Sequence, residues 1–352
     1  MLKKICQLTA ISFAAVTSIE AQTDSTKKIE SSTTFTYSVD VYYKSDFAGK
    51  ANNNKTSFTN SNNSFELGMA SIRIDHSFGK ISATADLGFG RRAEEFSYND
   101  GSGYPIGSGN GFNTLAAVKQ AYLTYSPVSF IKFTAGKWAT HIGWELLDAY
   151  ANRNYSMSYG FSYGPFFHTG LKADISIGGK SAMMVGIANP TDFSTTTSQT
   201  KIAIAQFSTG TKDDKFKGYL NFQGGTYLTQ FDLVLNAVIT SKFNIAYDGT
   251  IKNVKVTGTS NNWSSNALYF NYDPTAKFGL TLRGEYFNDT KNVAGIGTNI
   301  FAATLSGNIK INNLTIIPEI RLDNAKNKIF TNSSNNPSMS AGNFLIAAVY
   351  KF

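Results

Sequence analysis

The side chains best suited to catalysis are few and scattered in this sequence. The three histidines lie far apart: His76, His141 and His168. His141 is followed by Asp148 and Ser156, and a serine, a histidine and a carboxylate can together form a hydrolytic triad. The zinc-protease and phosphate-binding motifs do not occur in the sequence, and we expect no nucleophile elbow. We therefore expect a protein that is not an enzyme, with no metal and no cofactor, in which His141 either packs a loop or lies at the rim.

Charged residues placed at alternate positions are the second chemical feature. In the stretch 314–323, one set of alternate positions is apolar, and the positions between them are polar or charged. The apolar set is Leu314, Ile316, Ile320 and Leu322, and the polar set is Thr315, Glu319, Arg321 and Asp323. A period of two predicts a β-strand, because successive side chains point to opposite faces. Since a charged side chain facing lipid at mid-membrane costs about 2–4 kcal/mol, the charged face is expected to line an interior.

Segments with this alternation follow one another along the whole chain. We count about sixteen, with fourteen or eighteen as alternatives: 33–47, 65–78, 81–96, 114–126, 129–138, 166–178, 181–189, 200–209, 215–224, 226–240, 242–255, 263–273, 276–288, 297–311, 313–325 and 342–352. Short connections alternate with longer ones such as 97–113, 139–165 and 256–262. This pattern predicts an all-β transmembrane antiparallel barrel, with short periplasmic turns and long extracellular loops. A barrel of about sixteen strands is wide enough to enclose an aqueous channel.

The composition favours the same class. The chain is 42% hydrophobic and only 16% charged, and Lys+Arg (32) exceeds Asp+Glu (24) by 8. A typical soluble domain is about a quarter charged, so this surface is poor in charge. The abundant aromatic residues argue against a charged disordered chain. No stretch is long and apolar enough for a membrane-spanning helix, which needs about 18 apolar residues.

The N-terminus has the features of an export signal. Lys3 and Lys4 precede an apolar stretch that contains the single cysteine, Cys6, and a cleavage site is expected near Ala21. We predict a signal peptide over 1–21, with the exact bond left open, a short periplasmic segment over 22–32 and a barrel over 33–352. Since the mature chain would contain no cysteine, we expect neither disulfides nor a cysteine zinc site.

The C-terminus has an aromatic pattern of its own. Phe344, Ile346, Ala348, Tyr350 and Phe352 lie on one face of the last segment. A final strand with Tyr350 and a terminal Phe352 resembles the assembly signal of bacterial outer-membrane barrels. We therefore expect the barrel-assembly machinery to be a partner.

Residues 120–170 contain a more specific pattern. Its positions are Ala121-Tyr122, Gly136-Lys137-Trp138, Ile142-Gly143-Trp144-Glu145, Asn152, Ser156, Pro165 and His168-Thr169-Gly170. The pattern resembles the OmpL-like β-barrel porin family, which is common in the Bacteroidetes. The resemblance implies a diffusion channel and transfers no catalytic residue.

The charged and polar residues on the interior face are candidates for lining a pore. By alternation, they are Arg73, Asp75, Asp86, Arg92, Lys132, His168, Lys172, Asp174, Lys217, Asp232, Arg283, Glu285, Glu319 and Arg321. Acidic and basic groups nearly balance on this face, which favours weak ion selectivity with at most a mild preference for anions.

The segment 139–165 is the longest connection and our candidate for an inward loop. In general diffusion porins of sixteen strands, the loop between the fifth and sixth strands narrows the pore, and this segment has the same place. Its Trp, Leu and Tyr residues could anchor it to the barrel wall. Glu145, Asp148 and Arg153 would then face the opening. The alternative is an outward loop that packs on a neighbour.

Two functions stay open at this stage. We expect an outer-membrane porin of a Gram-negative bacterium, in which small hydrophilic solutes and ions diffuse passively through a water-filled channel. The alternative is a non-conducting barrel that acts as an adhesin or scaffold through its extracellular loops. Expected contacts are outer-membrane lipid and lipopolysaccharide, but no nucleic acid. The solute, the pore radius and the choice between a monomer and a homotrimer are not fixed by the sequence.

Overall fold

The computed structural model describes residues 30–100, 114–256 and 258–352. Within these residues, sixteen strands form one closed antiparallel barrel in which sequence neighbours pair and β1 closes against β18. The barrel strands are β1 (Ser31–Asp46), β2 (Ser64–Phe78), β3 (Ile81–Phe89), β4 (Val118–Val128), β5 (Ile131–Ala139), β6 (Phe167–Gly178), β7 (Ser181–Ala188), β8 (Ile202–Gly210), β9 (Phe216–Gly224), β10 (Leu228–Val238), β11 (Phe243–Val256), β12 (Thr259–Thr275), β13 (Phe278–Asn288), β14 (Asn299–Ile311), β15 (Leu314–Ala325) and β18 (Ser340–Lys351). The predicted all-β barrel of sixteen strands is confirmed.

The short elements lie in the connections. They are the helices α1 (Arg91–Phe96) and α2 (Tyr159–Tyr163), a two-stranded hairpin of β16 (Phe330–Thr331) and β17 (Pro337–Ser338), and the 3-10 turns Ala51–Asn53, Tyr98–Asp100, Thr114–Ala117 and Ala149–Ala151. In the described part of the chain, no helix has the length and apolar character needed to cross a membrane. The predicted signal peptide and most of the 22–32 segment lie outside the described residues.

The outside of the barrel is apolar and the inside is polar. On β15, Ile320 and Leu322 are 46% and 55% exposed, whereas Glu319 and Arg321 between them are 1% and 2% exposed. This is the reverse of a soluble protein, and it suits a barrel surrounded by lipid. Alternation in the sequence therefore has a direct physical cause, because each strand separates lipid from a polar interior.

The two ends of the barrel differ in the length of their connections. At one end, called the turn end here, short links such as 79–80, 129–130 and 312–313 join the strands. At the other end, the loop end, the connections include 47–63, 90–117, 140–166 and 326–339. This is the predicted arrangement of short periplasmic turns and long extracellular loops.

Three predicted boundaries were wrong. The strand predicted over 81–96 ends at Phe89, and Arg91–Phe96 forms α1 instead. Gly90 makes the bend at φ +119°, where a side-chain Cβ would lie 2.8 Å from the Gly68 carbonyl oxygen. The fourth strand begins at Val118 rather than residue 114, after a 3-10 turn. The predicted loop 256–262 is mostly strand, because β11 and β12 continue to pair as far as Val256 and Thr259.

A loop folded into the barrel and the spaces on either side

The connection between β5 and β6, residues 140–166, enters the barrel and is called the lumen loop here. Its backbone N–H groups donate to carboxylates on four different strands. Gly143 N donates to Asp232 on β10 and Trp144 N to Asp248 on β11, both at 3.0 Å. Farther along, Tyr159 N donates to Glu285 on β13 at 2.7 Å, and Tyr155 N to Glu319 on β15 at 2.8 Å. The loop therefore crosses the interior from one wall towards the opposite wall.

Three arginines hold the carbonyl groups of the same loop. Arg283 donates to the Ser156 carbonyl at 2.7 Å and Arg321 to the Met157 carbonyl at 2.9 Å. Arg92, from α1, donates to the Leu147 and Tyr155 carbonyls at 3.1 Å. All three side chains are buried, and burial of a charge is tolerated only where the charge is paired or hydrogen-bonded. These contacts fix the path of the loop.

Apolar side chains complete the anchoring at the loop end. Leu147, Met157, Phe161 and Phe166 of the lumen loop join one buried cluster with residues of β2, α1 and loop 47–63, among them Phe58, Met69 and Phe96. The guanidinium of Arg92 lies 5.0 Å from the Phe58 ring centroid and 4.8 Å from that of Tyr155. The aromatic side chains of this segment, which stood out in the sequence, therefore pack against the barrel and its outer loops.

The three residues expected to face an opening have different surroundings. Glu145 is buried, accepting from Arg283 at 2.6 Å and from Ser158 N at 2.7 Å. Asp148 pairs with Lys119 at 2.5 Å. Arg153 alone reaches open space, where it pairs with Asp273 at 2.9 Å and both side chains are about a third exposed. The expected orientation of Glu145 was wrong, because the buried Arg283 needs a partner.

The residues predicted to line the pore fall into two groups. One group is buried beside the lumen loop or the outer loops: Asp86, Arg92, His168, Asp232, Arg283, Glu285, Glu319 and Arg321. The other lies towards the turn end with side chains 18–50% exposed: Arg73, Asp75, Lys132, Lys172, Asp174 and Lys217. Arg92 was placed on a strand in error, since it belongs to α1. We call the space bounded by the second group the turn-end vestibule.

The charges of the turn-end vestibule are paired across neighbouring positions. Arg73 pairs with Asp75 at 2.7 Å. Lys132 and Lys172 share Asp174, at 3.5 and 3.4 Å. Because these pairs are open to water, each contributes little stability, typically below about 1 kcal/mol, and their charges face whatever passes.

On the opposite side of the lumen loop, at the loop end, there is a second space. This outer cavity has a volume of about 610 Å³ and is lined by residues of the lumen loop, β11, β12 and the outer loops. Lys252, Tyr163 and Phe193 are among the lining residues. The lumen loop thus lies between two spaces that open towards opposite ends of the barrel.

The candidate catalytic residues are not assembled into a catalytic group. His141 contacts the Phe222 carbonyl at 3.0 Å and the His168 ring at 5.2 Å between centroids. Burial lowers the pKa of His141 to about 4, so its ring is neutral at pH 7. Asp148 and Ser156 hydrogen-bond instead with Lys119 and Arg283. In the described ranges, no group of three or more His, Cys, Asp and Glu residues could hold a metal ion.

One motif was overlooked in the sequence. Residues 160–164 have the G-x-S-x-G spacing of a nucleophile elbow, which we had not expected. Ser162 lies within α2, where its hydroxyl donates to the Ser158 carbonyl at 2.8 Å and accepts from Ser57 N at 3.0 Å. Both hydrogen bonds go to backbone atoms, so the serine joins the lumen loop to loop 47–63.

Alternation also missed Lys119. Asp86 pairs with Gln120 and Leu87 with Val118, so Lys119 is the extra residue of a β-bulge and points inward. There it bridges Asp86 at 3.1 Å and Asp148 at 2.5 Å. A strict period of two assigns it to the lipid face, and nothing in the local sequence signals the bulge.

The family profile described as "Putative beta-barrel porin-2, OmpL-like" matches residues 32–352. The chain belongs to this family. The porin is thus an outer-membrane channel for small solutes, as the resemblance of residues 120–170 implied, and the adhesin or scaffold alternative is not favoured. No curated protein matches the porin sequence.

Solved structures with the same fold are porins and outer-membrane proteins. The anion-selective porin from Comamonas acidovorans is 12% identical, with 92% of this chain and 100% of that chain covered and a TM-score of 0.62. A loop-deletion mutant of OmpT, an outer membrane protein of Vibrio cholerae, is 13% identical, covering 92% and 99%, with a TM-score of 0.60. OccK11 of Pseudomonas aeruginosa is 8% identical, covering 92% and 96%, with a TM-score of 0.51. At these identities the likeness shows the fold alone.

Proposed function

We propose that small hydrophilic solutes and ions cross this porin passively, and that the lumen loop forms the constriction between the outer cavity and the turn-end vestibule. The observation that carries the proposal is the clamp on the loop. Glu319 binds it through the backbone N–H groups of Tyr155 and Ser156, and Arg283 binds it through the Ser156 carbonyl. A segment held on both sides by buried charges narrows a channel without needing a partner subunit. No chemical conversion of the solute is part of this function.

The charges open to water favour weak ion selectivity. In the turn-end vestibule, Arg73 and Asp75 compensate each other, and so do Arg153 and Asp273 nearby. Since neither sign forms a continuous ring in the part of the chain that the structure describes, neither cations nor anions meet a strong barrier there. Reversal potentials measured across a KCl gradient should therefore show a permeability ratio close to one. A strong preference for either ion would contradict the assignment of these residues to the pathway.

Shortening the lumen loop tests the constriction directly. Deleting residues between Gly143 and Ser158 should increase the single-channel conductance in planar bilayers and admit larger sugars in liposome swelling. Deletion of 333–335, the exposed tip of the hairpin between β16 and β17, is the matched control and should change neither quantity. If a correctly inserted lumen-loop deletion keeps the conductance and size limit of the natural protein, the constriction lies elsewhere.

We also propose that export and assembly follow the signals in the sequence. A signal peptide cleaved near Ala21 would deliver the chain to the periplasm, and the aromatic C-terminus would engage the barrel-assembly machinery. The apolar belt then contacts lipid, and the long loops contact lipopolysaccharide. Mass spectrometry of the mature N-terminus and cell fractionation test this route, and recovery of a soluble periplasmic protein would contradict it.

A further inference from the structure

The outer cavity has the size and lining of a solute-binding site. Its volume of about 610 Å³ is within the range of 300–1,000 Å³ usual for small-molecule pockets. One part of its wall is apolar or aromatic, from Tyr98, Tyr163, Phe193, Val254 and Val293. A solute entering from the loop end meets this wall, to which the lumen loop contributes Tyr163, before it passes the lumen loop.

The basic residue that lines this cavity is Lys252. It lies on β11, directly opposite Trp263 of β12 and Gln230 of β10. Within the described ranges, its ammonium makes neither a hydrogen bond nor an ion pair, and its only electrostatic neighbour of opposite sign is Asp192. Lys252 is partly buried and Asp192 forms no ion pair with it, so an anion placed beside the ammonium would be stabilised.

Among the described residues, two carboxylates line the cavity, and both already accept hydrogen bonds from the surrounding walls. Asp192 accepts from the backbone N–H groups of Phe166 and Phe167, at 2.7 and 3.0 Å, and from the Tyr98 hydroxyl at 3.2 Å. Glu95 accepts from Phe58 N and from the Asn60 amide, both at 2.8 Å. The charge of Glu95 is further compensated by Arg91 and Arg92. These carboxylates therefore hold the walls together, and Lys252 provides the charge available to a solute.

We propose that the outer cavity binds small organic anions, with the carboxylate of the solute on Lys252 and its apolar body against Tyr98, Tyr163 and Phe193. The inference rests on the proposed channel function and adds the class of solute that is concentrated at its entrance. A charge-assisted hydrogen bond supplies the affinity for the anion, and the aromatic wall selects for an apolar group of matching size. The site gives a preference among solutes without imposing a strong field along the whole pathway.

A matched pair of probes tests the charge requirement. Isothermal titration calorimetry on the purified full-length barrel in detergent should show saturable binding of N-acetyl-phenylalanine. Its neutral amide should bind at least about tenfold more weakly. Equal affinity for the acid and the amide, or no binding of the acid, would overturn the proposal. This comparison uses the natural protein, so it does not depend on a variant that folds.

A matched pair of variants locates the site. Lys252→Met should reduce the affinity for the acid at least about tenfold and leave the amide unaffected. Lys255→Met, an exposed lysine on the same strand that does not line the cavity, should bind like the natural protein. Unchanged acid binding by a correctly folded Lys252→Met barrel would place the anion elsewhere and refute the inference. Since binding is measured without a membrane, a protein that binds but does not conduct would refute the channel proposal alone.

Discussion

Glu319→Gln is the sharpest perturbation of the clamp on the lumen loop. The buried carboxylate of Glu319 accepts three hydrogen bonds: Tyr155 N and Ser306 Oγ donate to Oε2 at 2.8 and 2.7 Å, and Ser156 N donates to Oε1 at 3.1 Å. A glutamine has the same shape but replaces one oxygen with an NH₂ group, which can only donate. Whichever way the amide is oriented, a backbone N–H of the loop faces another donor.

The size of the effect follows from these contacts. A hydrogen bond to a charged group contributes about 1.5–3 kcal/mol, and the variant loses one bond and weakens the others by removing the charge. A loss of about 3 kcal/mol in docking free energy corresponds to roughly 100-fold greater population of the undocked loop. In hydrogen exchange, the Tyr155 and Ser156 amides should exchange about 100-fold faster, and channel recordings should show more frequent large-conductance events.

Asp75→Asn is the control for the loss of an interior carboxylate. Asp75 bonds Arg73 and Thr84 and makes no hydrogen bond to the lumen loop, so exchange at Tyr155 and Ser156 should stay unchanged. If Glu319→Gln leaves the exchange of both amides within about threefold of the natural protein, in a barrel that is otherwise folded, then the clamp contributes far less than its hydrogen bonds imply. The argument that buried charges fix the loop would then fail.

Three further outcomes are expected. Removing Phe352 should slow or reduce barrel assembly, measured by heat-modifiable gel mobility, because its backbone pairs with Tyr37 at 2.8 and 3.0 Å and their rings lie 5.1 Å apart at the closing seam. Because the pKa of His141 is lowered from 6.5 to about 4, the docked loop binds fewer protons than the undocked loop between these pH values. Acidification from pH 7 to 5 should therefore weaken docking by about 2 kcal/mol and increase the frequency of large-conductance events. His141→Gln should reduce this response. Lys119→Met should destabilise the barrel by about 3–5 kcal/mol in thermal unfolding, since Asp86 and Asp148 lose their shared partner, whereas Lys132→Met at an open pair should cost below about 1 kcal/mol.

The barrel could be predicted from the sequence because lipid imposes the same requirement at every strand. Ile320 and Leu322 face hydrocarbon, whereas Arg321 between them faces the interior. This alternation holds along the whole of a regular strand. Predicted and observed segments therefore agree closely where the strand is regular. They disagree at Gly90 and Lys119, where a left-handed glycine and a β-bulge interrupt the period. Such interruptions satisfy packing between distant segments, which the local sequence does not contain.

The position of the lumen loop was expected from its place in the strand order, but its contacts were not. Tyr155 and Glu319 are separated by 164 residues, as are Met157 and Arg321. An alternating pattern can place Glu319 and Arg321 inside the barrel, yet it treats all interior charges alike. It has no means of separating those that meet water from those that hold a loop, because that depends on where residues 140–166 fold.

This distinction changes how the selectivity of the channel should be derived from its charges. Arg283, Arg321, Glu285 and Glu319 are buried with the lumen loop, so their charges are compensated locally and do not act on a passing ion. Among the open groups, Arg73 is matched by Asp75, whereas Lys132 and Lys172 share the single carboxylate of Asp174. Lys217 likewise shares Asp214 with Lys180, so basic groups outnumber acidic groups among these open charges near the turn end. The same near balance that the sequence indicates therefore arises from far fewer charges, and the small remaining bias favours anions, the class for which Lys252 provides a site at the loop end.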